Sequence, residues 1–334
     1  MRGILEKIAR GLTLTVDEAY EAAKGMLTNI DEAVAAAILM GLRVRGEAPS
    51  EIAGFAKALR DHCVKIPVQD RDMYIDTAGT GGDGFSTLNA STAAALASAY
   101  LGAYVIKHGN RGVSSPSGSA DFLEALGFRI DIPPGKALQM VSTYRFTFAF
   151  APSYHPAMRN VMPVRRKLGI RTIFNIVGPL ANPALLTRQL IGIAEHGLIS
   201  KVAEAASMIG YRHVILIHGE PGIDEVSVFG RTRVVEVKDG RVEEYYIEPR
   251  DLGLSLHKID EVRVSSPAES AERFRRAALG LDKAAREFIA ANTAFALYLA
   301  GVVKDLKDGV EYFKSNVGEG LLNYVKELAE VSRI

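Results

Sequence analysis

The sequence predicts an α/β protein, with a small helical N-terminal domain and a larger domain built on a mostly parallel central sheet flanked by helices. Three observations carry that expectation. Up to about residue 65 the apolar residues recur at helical spacing only. Beyond it, short β-rich runs alternate with helical stretches, the pattern of βαβ units around a parallel sheet. From Pro267 onward the pattern is helical again.

In the N-terminal part, Met1 to Leu14 reads as a helix. Thr15 followed by Glu18 is a capping-box signature that opens a second helix. Val34, Ala37, Ile38, Gly41 and Leu42 mark the face of a third, and Ile52, Phe55, Ala56 and Leu59 that of a fourth. Pro67 and the polar run Gln69, Asp70, Arg71, Asp72 form a boundary. The expected division is a helical domain over 1–70, joined by a helical segment near 155–180, and an α/β domain over 71–334. In the second domain MYIDT, AYVIK, FTFAFA and RHVILIH read as strands, with helices at STAAALASAYLG and SADFLEALG. Residues 225–248 differ: VSVFG, TRVVEV and VEEYYI are split by Gly230 and by Asp239-Gly240, a hairpin turn, so an antiparallel excursion is expected.

Bulk properties exclude several classes. Of 334 residues 48% are hydrophobic, enough for a sizeable core. The net charge of +1 argues against a dedicated nucleic-acid binder. Cys63 stands alone, which rules out an internal disulfide and a cysteine-built zinc site. No apolar run reaches the roughly 18 residues that span a bilayer. The N-terminus carries no apolar signal region, so a cytoplasmic location without membrane partners is expected.

The chemistry is concentrated in two loops. Between a strand and a helix lie Gly79, Gly81, Gly82 and Gly84, four glycines in six residues. They allow positive φ and a close backbone approach to a ligand. The following helix start, with Asn89, Ala90, Ser91 and Thr92, presents unsatisfied N–H donors to an anion. The spacing Gly79-x-Gly81-x-x-Gly84 fits a dinucleotide fingerprint, but the next strand ends in Lys107-His108 and lacks the acidic residue that holds a ribose. A cation there suits a second phosphate. No Gly-Lys-Ser/Thr follows, so the Walker pattern fails as well. The second loop runs from Lys107 and His108 through Gly109, Asn110, Arg111, Gly112, Val113, Ser114, Ser115 and Ser119 to Asp121. Both loops leave the carboxyl ends of strands, where open α/β sheets bind ligands. Together they can grip a molecule with phosphate at both ends.

These residues resemble the anthranilate phosphoribosyltransferase family. The likeness runs through Asp76-Thr77-Ala78-Gly79-Thr80-Gly81-Gly82-Asp83, Asn89-Ala90-Ser91-Thr92, Lys107-His108-Gly109-Asn110-Arg111 and Ser117-Gly118-Ser119-Ala120-Asp121. It continues through Tyr154-His155-Pro156-Ala157-Met158, the run from Val164-Arg165 to Phe174-Asn175, Gly178-Pro179-Leu180 and Gly219-Glu220-Pro221-Gly222-Ile223-Asp224-Glu225. The resemblance implies a nucleoside phosphorylase/phosphoribosyltransferase-like fold and a homodimer joined through the helical domains. It implies transfer of the phosphoribosyl group of 5-phosphoribosyl 1-pyrophosphate to anthranilate, in the tryptophan branch of amino-acid biosynthesis. Gly79, Gly82, Asp83, Thr87 and Asn89 to Thr92 would hold the sugar pyrophosphate, with Lys107 to Ser115 and Ser119 completing that site. Asn110 and Arg165 would orient anthranilate, with His108, His155, Met158 and Pro179 around its ring. Lys107, Asn110 and Arg165 would carry catalysis. Ser91, Asp224 and Glu225 would coordinate Mg2+, a cation suited to a few hard oxygen ligands. The sequence departs from the family pattern at Ala90, Gly112 and Pro116, where Val or Ile, Ala, and Lys are common.

Other readings stand beside this one. A pyrimidine nucleoside phosphorylase shares the fold, but its glycine loop carries a Lys-x-Ser-x-Gly-Gly-type pattern. A non-catalytic relative that binds nucleic acid is disfavoured by the near-neutral charge and by Asp224-Glu225. A Rossmann dehydrogenase lacks its acidic residue at the second strand.

Overall fold

A computed structural model describes residues 1–112 and 116–334. Val113, Ser114 and Ser115 of the second loop lie outside the described residues.

The N-terminal part packs four helices: α1 (Arg2–Ala9), α2 (Val16–Thr28), α3 (Glu32–Arg45) and α4 (Pro49–Asp61). The capping box at α2 is present: the Glu18 N–H donates to Thr15 Oγ1 at 3.3 Å, and the Thr15 N–H donates to Glu18 Oε2 at 3.0 Å. Asp31 caps α3 through the N–H groups of Ala33 and Val34. Glu51 on α4 is fully buried and fully partnered. It accepts from the Leu14 and Ala48 N–H groups and pairs with Arg45, so one carboxylate joins the starts of α2 and α4 to the end of α3. The buried stripe of α3 is Ala35, Ile38, Leu39 and Leu42, which leaves Ala37 exposed, contrary to the face read from spacing.

The rest of the chain carries β1 (Tyr74–Gly79), α5 (Ala90–Tyr100), β2 (Tyr104–Gly109), α6 (Ser119–Ala125), α7 (Pro134–Tyr144) and β3 (Phe146–Phe150). Then come α8 (Ala151–Tyr154), α9 (Met162–Leu168), α10 (Ile173–Val177), β4 (Arg188–Gly192), α11 (Ile199–Met208) and β5 (His213–Gly219). The chain ends with β6 (Thr232–Lys238), β7 (Arg241–Ile247), α12 (Pro267–Ala278), α13 (Lys283–Ala300), α14 (Leu306–Asn316) and α15 (Glu319–Arg333). Among the described residues seven strands form one sheet in the order β3-β2-β1-β4-β5-β6-β7, with β1 to β5 parallel and β6 and β7 antiparallel. Asp239 and Gly240 turn the β6–β7 hairpin with φ of 46° and 79°, the paired positive values of a type I′ turn.

Among the described residues one strand is additional to those expected, and one expected strand is absent. β4 has no counterpart in the sequence reading, because it is short and opens on Arg188 and Gln189. Val226 to Gly230 forms no strand. That segment is buried coil whose main chain is satisfied by side chains: Asn292 Oδ1 accepts from the Val226 N–H at 2.9 Å, and Thr232 Oγ1 accepts from the Ser227 N–H at 2.9 Å.

Strand alternation sends Ile215 and Ile217 to one face of the sheet and Val214 and Leu216 to the other. The first face packs with α5, α7 and α12 to α15. The second shares a core with α11 and the N-terminal helices, and Phe55 of α4 meets Phe174 of α10 edge-on at 5.5 Å. The chain leaves β1 toward β2 and β3, then crosses back to β4 on the other side of β1. That reversal puts a crevice beyond the carboxyl ends of β1 and β4.

α4 crosses α2 at Gly54, where an added methyl would lie 2.4 Å from the Val16 carbonyl oxygen and 2.6 Å from Ala19 Cβ. Backbone cannot move aside as a flexible side chain can. We predict that Gly54→Ala destabilises the fold by about 1–3 kcal/mol, read as a lower midpoint in denaturant unfolding; an unchanged midpoint would contradict this crossing.

Candidate phosphate and metal site

The site grows from two paired glycines. Gly79 ends β1, Gly192 ends β4, and the two are register partners. The turn after β5 lays Asp224 across them. A Cβ on Gly79 would lie 2.2 Å from Asp224 Oδ2, and one on Gly192 would lie 1.6 Å from the Asp224 carbonyl oxygen. Only glycine permits this approach. Beyond Gly79 the loop turns on Gly81, Gly82 and Gly84, with φ of 62°, 76° and 80°. The Gly81 N–H donates to Asp224 Oδ2 at 2.7 Å.

Asp83 joins Asp224 and Glu225 in a cluster whose carboxylate oxygens lie within 4.8 Å of one another. Burial and the neighbouring Asp224 raise the Asp83 carboxyl to about 6. Burial raises Asp224, and burial with the two other carboxylates holds Glu225 well above the usual range. The Thr87 hydroxyl donates to Glu225 Oε2 at 3.4 Å, and the Ser91 N–H at the start of α5 also serves that carboxylate. Three crowded carboxylates with hydroxyls beside them are a hard oxygen donor set that fits a divalent cation such as magnesium. Asp83, expected with the sugar pyrophosphate, also stands beside Asp224 and Glu225.

Lys107 is 1% exposed, and Nζ donates to the Thr77 carbonyl. Burial lowers its pKa to about 8, against the fields of Asp76, Glu225 and Asp224. Asp76 on β1 is fully buried; it accepts from the His108 N–H at 3.2 Å, Asn182 Nδ2 at 2.9 Å and Gln189 Nε2 at 3.0 Å. Burial raises this carboxyl to about 6. Thr77 Oγ1 donates to the Ser91 carbonyl at 2.9 Å, which ties β1 to the first turn of α5. Ala90 and Thr92 are buried in that same turn.

The second loop is braced from within. Asp121 Oδ2 accepts from the Gly112 and Gly118 N–H groups at 2.8 and 2.9 Å. Arg111 forks onto Glu124 and reaches Asp121, so its charge is already partnered. Gly109 packs against Ser119: a Cβ there would lie 2.9 Å from Ser119 Cβ. The Asn89 carboxamide accepts from Ser117 Oγ at 2.6 Å and from Ser270 Oγ at 2.9 Å, linking the two loops to α12.

A less polar wall lies beside this. His108 and His155 are buried with ring centroids 5.1 Å apart. Burial holds His108 well below its usual range and His155 at about 4, so both rings are neutral near pH 7. His155 Nε2 lies 3.0 Å from the Ala181 carbonyl oxygen. Among the described residues the buried His108 Nε2 has no hydrogen-bond partner. Met158 is half-buried and Pro179 buried. Arg165 on α9 lies over the Phe174 ring at 5.7 Å and donates to Asn175 Oδ1 at 3.2 Å, and among the described residues no carboxylate pairs with it. Arg166 and Lys167 point to solvent, and Lys167 pairs with Glu32. Asn110 is exposed, and no hydrogen bond among the described residues joins it to Arg165.

Sequence reasoning gave no role to Arg171, Asn175, Asn182 or Gln189. Arg171 and Asn175 lie within a run that carries the family likeness, whereas Asn182 and Gln189 lie outside every motif, and a polar residue shows its partner only after folding.

The glycosyl transferase family α/β-domain model matches residues 71–321, and the helical-bundle domain model of that family matches residues 2–63. Anthranilate phosphoribosyltransferase of Caldivirga maquilingensis is 61% identical, covering 100% of this chain and 99% of its own. That of Aeropyrum pernix is 53% identical, over 95% of this chain and 92% of its own. The crystal structure of the Thermus thermophilus enzyme aligns with TM-score 0.92 at 36% identity over 99% of each chain. The Saccharomyces cerevisiae enzyme in complex with PRPP and Mg aligns with TM-score 0.87 at 25% identity, over 99% of this chain and 98% of that one.

The buried histidine sets a pH dependence. Folding keeps His155 neutral down to about pH 4, whereas in the unfolded chain it takes up a proton below its ordinary value of 6.5. Between those values the unfolded state binds more protons, so stability falls as the pH drops from 6.5 to 4. We predict that His155→Gln, which keeps a donor for the Ala181 carbonyl, removes on the order of 3 kcal/mol of this acid loss. Urea unfolding across this pH range measures it, and an identical slope in the variant would contradict the assignment.

Proposed function

The chain belongs to the anthranilate phosphoribosyltransferase family, and on that premise we propose that it transfers the phosphoribosyl group of 5-phosphoribosyl 1-pyrophosphate to anthranilate. The products are N-(5-phosphoribosyl)anthranilate and pyrophosphate, a step of tryptophan biosynthesis. The observation that carries this reading is the meeting of an anion-binding glycine loop, a buried lysine and a carboxylate cluster at one crevice. The names of the relatives favour it over a pyrimidine nucleoside phosphorylase.

The anthranilate nitrogen attacks C1 of the ribose while the bond from C1 to the pyrophosphate oxygen breaks. Positive charge builds on the sugar and negative charge on the leaving group, so charge stabilisation and positioning are the protein's main tasks. Main-chain N–H groups of the glycine loop and of the α5 start that are not bonded to Gly192, Asp224 or Glu225 meet the pyrophosphate, with Thr87, Asn89 and Ser119 alongside. Lys107 supplies the buried cation. Asp224, Glu225 and Ser91, with Asp83 added by geometry, would hold Mg2+. When bound, the metal neutralises charge on the phosphates. Arg165 offers a fork to the anthranilate carboxylate, Asn110 orients the amine, and the neutral rings of His108 and His155 form a wall with Met158 and Pro179. The aromatic amine is already neutral at pH 7, and the proton that its nitrogen sheds on bonding to C1 passes to the departing pyrophosphate or to water, so no strong base is required.

We divide the chain into a helical domain over 1–70, joined by the segment 155–180, and an α/β domain over 71–334. Val161, Val164, Phe174 and Val177 support this, since they pack into the core that holds Phe55. A homodimer through the helical domain is supported by α3, where Ala37 is exposed and Val44 is 81% exposed. A cytoplasmic location is our reading as well; no helix among the described residues is long and apolar enough to cross a membrane.

In the assay, anthranilate fluorescence falls when protein, 5-phosphoribosyl 1-pyrophosphate and Mg2+ are mixed, and EDTA abolishes the fall. Arg165→Ala raises the anthranilate KM about tenfold or more, as expected for a lost charge-assisted fork, while Lys107→Ala mainly weakens use of the donor. Well-folded protein that leaves the fluorescence unchanged would overturn the assignment.

A further inference from the structure

Arg171 lies in the short connection between α9 and α10 and belongs to neither phosphate loop. Its guanidinium reaches back to the glycine loop. Nη1 donates to the Gly81 carbonyl at 2.8 Å and to that of Gly82 at 3.3 Å, and Nη2 donates to the Thr80 carbonyl at 3.3 Å. Gly81 is thereby held on both sides, because its N–H already donates to Asp224. The third anchor is Thr80, whose N–H donates to the Gly192 carbonyl at 2.9 Å and whose hydroxyl accepts from the Ala194 N–H at 3.0 Å.

A loop turning on three glycines at positive φ loses more chain entropy on ordering than a glycine-free loop of its length. Its N–H groups bind an anion well only if they are already aimed. Charge-assisted bonds to the Gly81 and Gly82 carbonyls fix that aim, since each fixes the peptide plane that bears the next N–H, while the Thr80 carbonyl precedes the Gly81 N–H that is bonded to Asp224. We propose that Arg171 is a positioning residue for the phosphoribosyl donor, which clamps the carbonyls of Thr80, Gly81 and Gly82 so that the loop's N–H groups not already bonded to Gly192 and Asp224 stay presented to the pyrophosphate. This deepens the function proposed above and rests on it.

The connection bearing Arg171 is itself anchored on the acceptor side. Asn175 Oδ1 accepts from the Thr172 N–H at 3.0 Å and from Arg165 Nη2 at 3.2 Å. The clamp on the donor loop and the cation for the acceptor's carboxylate therefore share one carboxamide as their foundation. Arg171 contacts only the donor side of this pair, so its loss reads out on the donor.

The test uses the whole protein with Arg171→Gln and Arg171→Lys beside the wild type. Gln keeps length and polarity without the charge; Lys keeps the charge without the fork. The expected result for Arg171→Gln is a donor KM raised about tenfold, an anthranilate KM that moves far less, and a melting temperature close to wild type. Arg171→Lys falls between the two. Calorimetric titration with pyrophosphate and Mg2+ follows the same order. A donor KM and a pyrophosphate affinity unchanged in Arg171→Gln would overturn the inference, as would KM values for both substrates that shift together with a falling melting temperature. A wild type that is inactive but binds pyrophosphate more tightly than Arg171→Gln would sink the proposed reaction and leave the clamp standing.

Discussion

The site depends on two positions that hold no side chain. Gly79 and Gly192 sit side by side at the ends of neighbouring parallel strands, and the Asp224 turn lies directly on them. A methyl at Gly192 would overlap a main-chain oxygen, which has no rotamer to escape into. This contact brings the end of β5 onto the crevice between β1 and β4 and sets carboxylates from distant parts of the chain beside the glycine loop. Topology creates the crevice; the two glycines let it be filled from above.

The charges follow from that geometry. Three acidic groups crowd together, and each is pushed toward its protonated form by burial and by its neighbours. Nearby cations are kept apart from them. Lys107 binds a main-chain carbonyl, Arg171 binds three, and Arg165 binds an amide oxygen. A site that neutralised its own carboxylates with arginine forks would have nothing left for a metal or a phosphate. Here opposite charges are held close by but unpaired, which is the arrangement a metal bound to a polyphosphate would complete.

Much of this was legible in the sequence. The helical start, the alternation of strands and helices, the capping box at Thr15 and the hairpin at Asp239-Gly240 rest on local periodicity and turn chemistry, which a sequence displays directly. The glycine loop and Lys107 were legible because each adjoins a strand end. Features set by long-range contacts were not. β4 is too short and too polar at its start to show alternation, and Val226 to Gly230 has a strand's composition but finds its hydrogen bonds on α13 and Thr232. The exposed Ala37 on α3 shows the same limit, since its neighbours decide which side of a mixed helix is buried. The family resemblance places Asp83 with the sugar pyrophosphate; its nearness to Asp224 and Glu225 depends on a turn about 140 residues away, which no local pattern shows.

We propose that Asp224 and Glu225 hold a divalent cation at the mouth of the glycine loop, where a pyrophosphate shares it. Mn2+ in place of Mg2+ reports this directly, through the relaxation of water protons by the bound ion. The expected result is that the wild type binds Mn2+, that pyrophosphate tightens the binding, and that an Asp224→Asn/Glu225→Gln variant with an unchanged melting temperature loses both effects. A variant that binds Mn2+ as tightly as the wild type, with the same response to pyrophosphate, would contradict it.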